Sequence, residues 1–226
     1  MERELEIRTA AQTFELRATG KGPGTLVGYA SVFNRYSQNL GGFVEQVAPG
    51  AFDKSLADGV PVMCRGNHED EFLLGTTWAQ TLRLSVDGTG LLYEDDLPDT
   101  TPGRDFAVLT QRGDVKWSSF AFRTIDDDWG ITEQGFPLRT LLQVLLVDVA
   151  LVNSPAYLDT TVAARSFDAY RAATLNAAGD PADLDNPERI GDMVADALRS
   201  AGKDGQRATH PSIAARRRRL DLLAKQ

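Results

Sequence analysis

Apolar and polar residues alternate along much of the first two-thirds of this chain, which predicts β-strands. A period of two over residues 13–18 and 82–86 is typical of strands with one buried face. The turn sequence Asp87-Gly88-Thr89-Gly90 separates the second of these from residues 91–93, and this predicts a hairpin. Further strand candidates are the apolar-rich segments 26–33, 60–64, 115–122 and 145–152.

Helical patterns are few in this region and more frequent after it. One helix is predicted after the segment 49–52, and another over about 102–111 with Thr100 or Thr101 as its N-cap. Past Pro155 alanine becomes common, and residues 168–178 have a helical pattern. We therefore predict a mainly β domain over residues 1–165, followed by a helical, partly disordered C-terminal tail over residues 166–226.

The composition is that of a globular protein without a membrane segment. The most apolar stretch, residues 141–152, is interrupted by Gln143 and Asp148, and it is shorter than the roughly 20 residues that span a bilayer. The N-terminus mixes acids and bases and lacks the apolar core of a secretion signal. The formal net charge of -8 argues against general nucleic-acid binding.

Cys64 is the only cysteine, so neither an intrachain disulfide nor a multi-cysteine zinc site is expected. Its neighbours Val62 and Met63 are apolar. We interpret Cys64 as a small buried hydrophobic residue rather than as a nucleophile.

Histidine chemistry in the predicted domain can only involve His68, because the other histidine, His210, lies in the tail. His68 stands in the polar segment 65–70, directly after an apolar strand candidate, where scaffolds often present functional side chains. A surface histidine without a function is the alternative that this local sequence leaves open. No phosphate-binding loop, nucleophile elbow or zinc-protease helix motif is present.

Ser119 is the serine that strand parity sets apart. If residues 115–122 form a strand, Phe120 and Phe122 face one side, while Trp117, Ser119 and Ala121 face the other. The phenylalanines would then anchor the core, and Ser119 would stand on the opposite face. Serines without a catalytic role are common in strands, so this pattern alone does not assign a nucleophile.

Asp148 interrupts the apolar run 145–152, which has the character of a buried strand. A carboxylate in such surroundings is unfavourable unless it is paired or hydrogen-bonded. Unless Asp148 stands at an exposed edge position, two kinds of partner would satisfy it. One is a histidine that the carboxylate orients for catalysis, and the other is an arginine or lysine in an ion pair.

Several segments taken together resemble the caudoviral prohead serine protease family over roughly residues 25–165. They follow each other in the family's order: 28–34, 49–52, 68–69, 74–75, 119–122 and 150–157. Three positions depart from the usual pattern. Ala121 replaces a glycine, Ala150 stands where serine is frequent, and Asp148 stands where glutamate is more frequent.

The resemblance implies both a fold and a function. The fold would be similar to the herpesvirus assemblins, an antiparallel β-barrel with a few helices. The function would be that of a serine endopeptidase with Ser119 as nucleophile, His68 as base and Asp148 as third residue. It would cleave the scaffolding segment of the major capsid protein precursor, and itself, during maturation. The site of action would be the host cytoplasm, inside the assembling prohead. No metal or organic cofactor is expected, and a homodimer is expected by analogy.

Two other hypotheses remain open on the sequence. In the first, the protein keeps this fold but is a catalytically inactive capsid-assembly scaffold or binding module. In the second, His68, Glu69 and Asp70 bind a metal for hydrolysis. The second is disfavoured because adjacent loop residues seldom converge on one ion.

Overall fold

The computed structural model describes residues 4–18, 22–154, 167–168 and 170–172. Strands dominate these residues, and the helices are short, as predicted for a mainly β protein. The strands are β1 (Glu6–Thr13), β2 (Glu15–Arg17), β3 (Thr25–Val32), β4 (Val44–Val47), β5 (Met63–Gly66), β6 (Leu73–Thr76), β7 (Leu82–Val86), β8 (Gly90–Asp96), β9 (Trp117–Ile131) and β10 (Pro137–Val152). The helices are α1 (Asp53–Ala57) and α2 (Thr101–Arg112), with a 3₁₀ turn over Asp70–Phe72.

The strands of the described residues form two sheets rather than one closed antiparallel barrel. The larger sheet has the order β1-β9-β10-β5-β6, with β4 also paired to β10, and the smaller has the order β2-β3-β8-β7. The larger sheet is mixed, because β10 pairs in parallel with both β4 and β5. The antiparallel barrel that the resemblance implied is therefore wrong for these strands, and local alternation could not have corrected it, because it reveals a strand but not the direction of its partner.

β10 is long enough to take two strands end to end along one edge. Residues 138–141 pair with β4 and residues 148–151 pair with β5. α1 fills the gap between them. The Ser55 hydroxyl donates to the Val144 carbonyl at 2.8 Å and accepts from the Leu146 amide at 2.9 Å. A helix side chain thus satisfies the backbone groups that lack a strand neighbour.

The core lies between the two sheets and beneath the helices. Phe120 and Phe122 are buried there and stack on each other with centroids 5.0 Å apart, in agreement with the predicted parity of this strand. Phe52, directly before α1, contacts Phe120 edge-on. These aromatic contacts determine which face of β9 is directed at the core. The residues that alternate with the phenylalanines, including Ser119, therefore face the other side of the strand.

The predicted elements recur with shifted boundaries. The candidate strand 60–64 begins only at Met63, because Pro61 cannot donate to a sheet ladder. Thr100 caps α2, accepting a hydrogen bond from the Gly103 amide. β9 continues to Ile131 through a charged segment that the apolar pattern did not indicate.

Most of the predicted tail lies outside the described residues, and so do most of the residues assigned to its helices. Phe167 is described, is buried, and packs against Phe43 with ring centroids 5.3 Å apart. Tyr170 stacks on Trp129 at 4.7 Å. These two residues therefore attach the start of the predicted tail to the end of the β9–β10 hairpin. Among the described residues, no helix has the length and apolar character to cross a membrane.

Asp95 on β8 is a carboxyl group buried between the two sheets. It is fully buried, and neither oxygen has a hydrogen bond of normal geometry within the described part of the chain. Its carboxyl lies against Gly75, where an added Cβ would come 1.8 Å from Asp95 Oδ1. Burial raises the pKa of Asp95 to about 7, and the nearby Cys64 thiol opposes this only in part.

We expect Asp95→Asn to stabilise the protein increasingly as the pH rises from about 4 to 8. The pKa of about 7 lies above the ordinary value near 3.8, so folding favours the protonated acid and the wild type loses stability across this interval. The full difference is roughly 4 kcal/mol at about 1.36 kcal/mol per pKa unit. The neutral amide cannot ionise, so it avoids this loss. Thermal midpoints of both proteins at several pH values measure the effect.

Asp96→Asn is the matched control, because the adjacent carboxyl has the opposite environment. Its hydrogen bond with Arg83 lowers the pKa of Asp96, and its side chain is half exposed. Asp96→Asn should therefore lower the stability of the protein relative to wild type as the pH rises above the acid range. A midpoint difference for Asp95→Asn that stays constant between pH 4 and 8 would contradict the buried-acid interpretation.

Candidate active site

His68 is held in a loop that leaves the end of β5 with a left-handed backbone. Asn67 and His68 have φ angles of 51° and 62°, which side-chain-bearing residues seldom adopt and which often occur at functional sites. The Asn67 amide donates to the Leu151 carbonyl at 2.8 Å and fixes the loop to β10. Gly66 before it admits Phe106 of α2, because an added Cβ would come 2.0 Å from that ring.

Ser119 lies on β9 with its side chain on the face opposite Phe120. It stands across from Ala150 of β10 on one side and from Thr9 of β1 on the other. Its hydroxyl oxygen is 2.7 Å from His68 Nε2. The backbone carbonyl oxygen of Arg8 is also within hydrogen-bond distance of this hydroxyl, at 3.0 Å.

Asp148 lies on the same sheet face as Ser119, two residues along β10 from the position opposite it. One carboxylate oxygen, Oδ1, is 2.7 Å from His68 Nδ1. The other, Oδ2, accepts from Arg65 Nη1 at 2.7 Å. Both partners that the sequence left open for this buried carboxylate are therefore present, one on each oxygen.

The three predicted site residues form one continuous chain of hydrogen bonds. Asp148 accepts from Nδ1–H of His68, which leaves the lone pair on Nε2 directed at the Ser119 hydroxyl. His68 and Ser119 lie within hydrogen-bond distance of each other although they are 51 positions apart in the sequence. The arrangement is suited to moving a proton from the serine hydroxyl to the imidazole.

Arg65 is the residue of this site that the sequence reasoning missed. It lies on β5 opposite Ala150, on the same face as Asp148, and its guanidinium binds both Asp148 and Asp70 at 2.7 and 2.5 Å. Because one carboxylate oxygen is held by Arg65, the other is fixed in position toward His68. One sequence feature could have drawn attention to Arg65: it is a charged residue two positions after Met63, on a strand that is otherwise apolar.

Burial differs strongly among these residues. Ser119 is 0% exposed and Asp148 is 2% exposed, whereas the side chains of His68 and Arg65 remain 12% and 13% exposed. The nucleophile candidate is thus covered, and solvent reaches the site from the histidine side. The cover over Ser119 includes the backbone of β1.

Cys64 lies beneath the site and is buried and unpaired. Burial raises the pKa of its thiol well above the ordinary value, and Asp95 reinforces this. Because the thiolate is the nucleophilic form, Cys64 is not suited to nucleophilic chemistry. The interpretation of Cys64 as a small core residue agrees with this environment.

The segment suggested for a metal is engaged in other contacts. Both ring nitrogens of His68 face Asp148 and Ser119, and Asp70 pairs with Arg65. Across the described ranges, no three His, Cys, Asp or Glu side chains gather where they could hold an ion. The geometry therefore gives no support to the hypothesis of a metal hydrolase built on His68, Glu69 and Asp70.

A serine, a histidine and a carboxylate linked in this order define the arrangement found in serine hydrolases, which recurs on unrelated folds. Comparison with known protein families shows to which family this chain belongs. The profile of the caudovirus prohead serine proteases matches residues 12–173, and this chain belongs to that family. The resemblance inferred from the sequence motifs is confirmed.

The chain was also compared with solved structures. The structure of the bacteriophage T4 capsid assembly protease matches with a TM-score of 0.48 and 14% sequence identity. The match covers 69% of this chain and 100% of that one. No curated protein matches the sequence.

Proposed function

We propose that this protein is a serine endopeptidase that uses Ser119 as its nucleophile, His68 as general base and Asp148 as the orienting carboxylate. The observation that supports it most is the unbroken hydrogen-bond chain from Asp148 through His68 to Ser119, with both contacts at 2.7 Å. The family to which the chain belongs consists of prohead serine proteases. Family and geometry therefore favour the same chemistry.

The proposed reaction begins with proton transfer from Ser119 to His68 Nε2 as the serine oxygen attacks the peptide carbonyl carbon. Asp148 stabilises the resulting imidazolium through Nδ1–H, and Arg65 holds the carboxylate in place. The imidazolium then gives its proton to the leaving amine. Water hydrolyses the acyl-enzyme by the same route, which restores the serine.

The proposed substrate is the scaffolding segment of the major capsid protein precursor, together with the protease itself. The family acts in phage prohead maturation, which supports a proposed reaction inside the assembling prohead in the host cytoplasm. A homodimer and an assemblin-like arrangement of the whole fold are parts of the proposal that rest on the resemblance alone. Neither metal nor organic cofactor enters the proposed mechanism.

Co-expression with the capsid protein precursor tests this function. We expect the precursor to be shortened to a defined product, whose new terminus mass spectrometry identifies, and we expect no shortening with Ser119→Ala. An intact precursor with the wild-type protein, at expression levels that form proheads, would favour the inactive scaffold of the same fold.

A further inference from the structure

The turn that carries His68 has a conformation that histidine seldom adopts. The Glu69 amide donates to the Gly66 carbonyl at 3.0 Å, and this hydrogen bond closes a four-residue turn. Both central residues of the turn, Asn67 and His68, have positive φ angles of 51° and 62°. Two left-handed central residues are the pattern of a type I′ turn, for which Asn-Gly is a preferred pair. Asparagine suits the first of these positions, whereas histidine at the second is unfavourable.

The left-handed conformation of His68 therefore has to be maintained by contacts around the turn. From beneath, Phe106 of α2 occupies the space next to Gly66, where an added Cβ would come 2.0 Å from the ring. From above, the imidazole contacts Asp148 and Ser119 at 2.7 Å each. These contacts hold the two ends of the unit, and the residue between Gly66 and His68 connects it to the sheet.

Asn67 is that residue, and it joins the turn to the end of β10 in two ways. Its backbone N–H donates to the Leu151 carbonyl at 2.8 Å. Its side-chain Oδ1 accepts from the Asn153 amide at 3.4 Å. Asparagine is also one of the few residues with a side chain that tolerate the left-handed region. One residue thus supplies the conformation of the turn and its attachment.

The strand to which Asn67 is attached also determines where the other two site residues stand. Asp148 belongs to β10, and Ala150 of the same strand pairs directly with Ser119. An attachment to Leu151 therefore sets the position of His68 relative to both. Precise placement matters for the proposed proton transfer, because a displacement of about 1 Å can lower a rate by about 100-fold.

We infer that Asn67 is a positioning residue of the proposed protease. It keeps the turn left-handed and ties it to β10, so that His68 bridges Asp148 and Ser119. Asn67 acts through His68 and not on the substrate. The inference rests on the proposed function, and it adds a fourth residue whose side chain the reaction requires.

The first test is Asn67→Ala in the full chain, because alanine fits the left-handed region poorly and has no acceptor for the Asn153 amide. We expect kcat on a cleavage-site peptide to fall by about 30- to 100-fold, while KM changes by less than about twofold. Labelling by a fluorophosphonate should slow in parallel. In that reaction the Ser119 oxygen bonds to phosphorus, fluoride leaves, and His68 takes the serine proton.

Asn34→Ala is the matched control, because Asn34 has the same local features at a distant place. Its φ angle is 54°, its side chain is exposed like that of Asn67, and its amide donates to the Val47 carbonyl at 3.0 Å. Both alanine variants should lower the thermal midpoint by a similar amount, about 2–4 °C. Only Asn67→Ala should lower kcat and the labelling rate.

Two further variants separate the conformation of Asn67 from its side-chain contact. Asn67→Gly keeps the left-handed backbone without strain but lacks the acceptor, so kcat should recover to about tenfold below wild type. Asn67→Asp tolerates this conformation and keeps the acceptor, so kcat should stay within about threefold of wild type. A role confined to stability would give no such order of kcat among the folded variants.

The outcomes distinguish this inference from the proposed function. Wild-type kcat in folded Asn67→Ala protein would overturn the positioning role while Ser119-dependent cleavage stands. Equal losses of kcat in Asn67→Ala and Asn34→Ala would overturn it too, because the effect would then be a general loss of stability. If Ser119 neither labels nor cleaves in wild type, the proposed function fails and the inference fails with it.

Discussion

Replacing Ser119 with alanine is expected to lower kcat by at least about 10⁴-fold, because the proposed nucleophile next to His68 is lost. The fold should remain intact, since removal of one hydroxyl leaves the Phe120 and Phe122 contacts unchanged. The measurement is kcat on a peptide spanning the capsid cleavage site, together with the thermal midpoint of the purified variant.

Ser118→Ala is the matched control, one residue away on the other strand face. Its hydroxyl hydrogen-bonds to the Tyr93 hydroxyl at 2.9 Å within the core. Its loss leaves the Tyr93 hydroxyl without this partner and should reduce stability by about 1–3 kcal/mol. Activity of the folded protein should stay near normal. An inactive Ser118 variant beside a normally active Ser119 variant would contradict the assignment.

The sequence predicted those features of the site that depend on local strand parity. Alternation placed Ser119 opposite the core face of Phe120, and the structure places it there. A carboxylate within an apolar run marked Asp148 as a residue needing partners. These predictions succeed because side-chain direction in a strand repeats every two residues whatever the strand pairs with.

Features that depend on distant pairing could not be predicted in this way. Glu6 and Arg8 have the pattern of a solvent-exposed strand face, yet both are buried, because Glu45 and Arg139 compensate their charges from other strands. The parallel pairing of β10 with β4 and β5 also left no local signal. The antiparallel barrel that the family resemblance implied was wrong in that respect.

The two roles considered for Asp148 are not exclusive, and this changes the expected result of Asp148→Asn. Arg65 Nη1 can only donate, so the asparagine oxygen is expected to turn toward Arg65. The amide NH₂ then faces His68 Nδ1 and donates to it. Histidine must respond by carrying its proton on Nε2, where it can no longer accept the Ser119 proton.

We therefore expect Asp148→Asn to lower kcat by about 10⁴-fold, the size of the corresponding change in the Ser-His-Asp triad, or roughly 5.5 kcal/mol at about 1.36 kcal/mol per decade. Stability should fall by less than the roughly 3–5 kcal/mol that follows from removing one partner of a buried pair, because Asp70 still neutralises Arg65. The measurements are kcat and the thermal midpoint of the same preparation.

Arg65→Gln separates the positioning of Asp148 from its charge. It leaves the carboxylate on His68 and removes only the group that holds the second oxygen, so we expect a smaller loss of kcat, about tenfold. Combined with Asp148→Asn it should add little or even restore activity, because the asparagine oxygen can then turn back to His68 Nδ1–H. The double variant should consequently be no slower than Asp148→Asn alone.

A different result for Asp148→Asn itself would contradict the catalytic role. Near-normal kcat in the folded protein, together with a strongly lowered thermal midpoint, would show that the carboxylate serves Arg65 and the fold. His68 and Ser119 would then act without it.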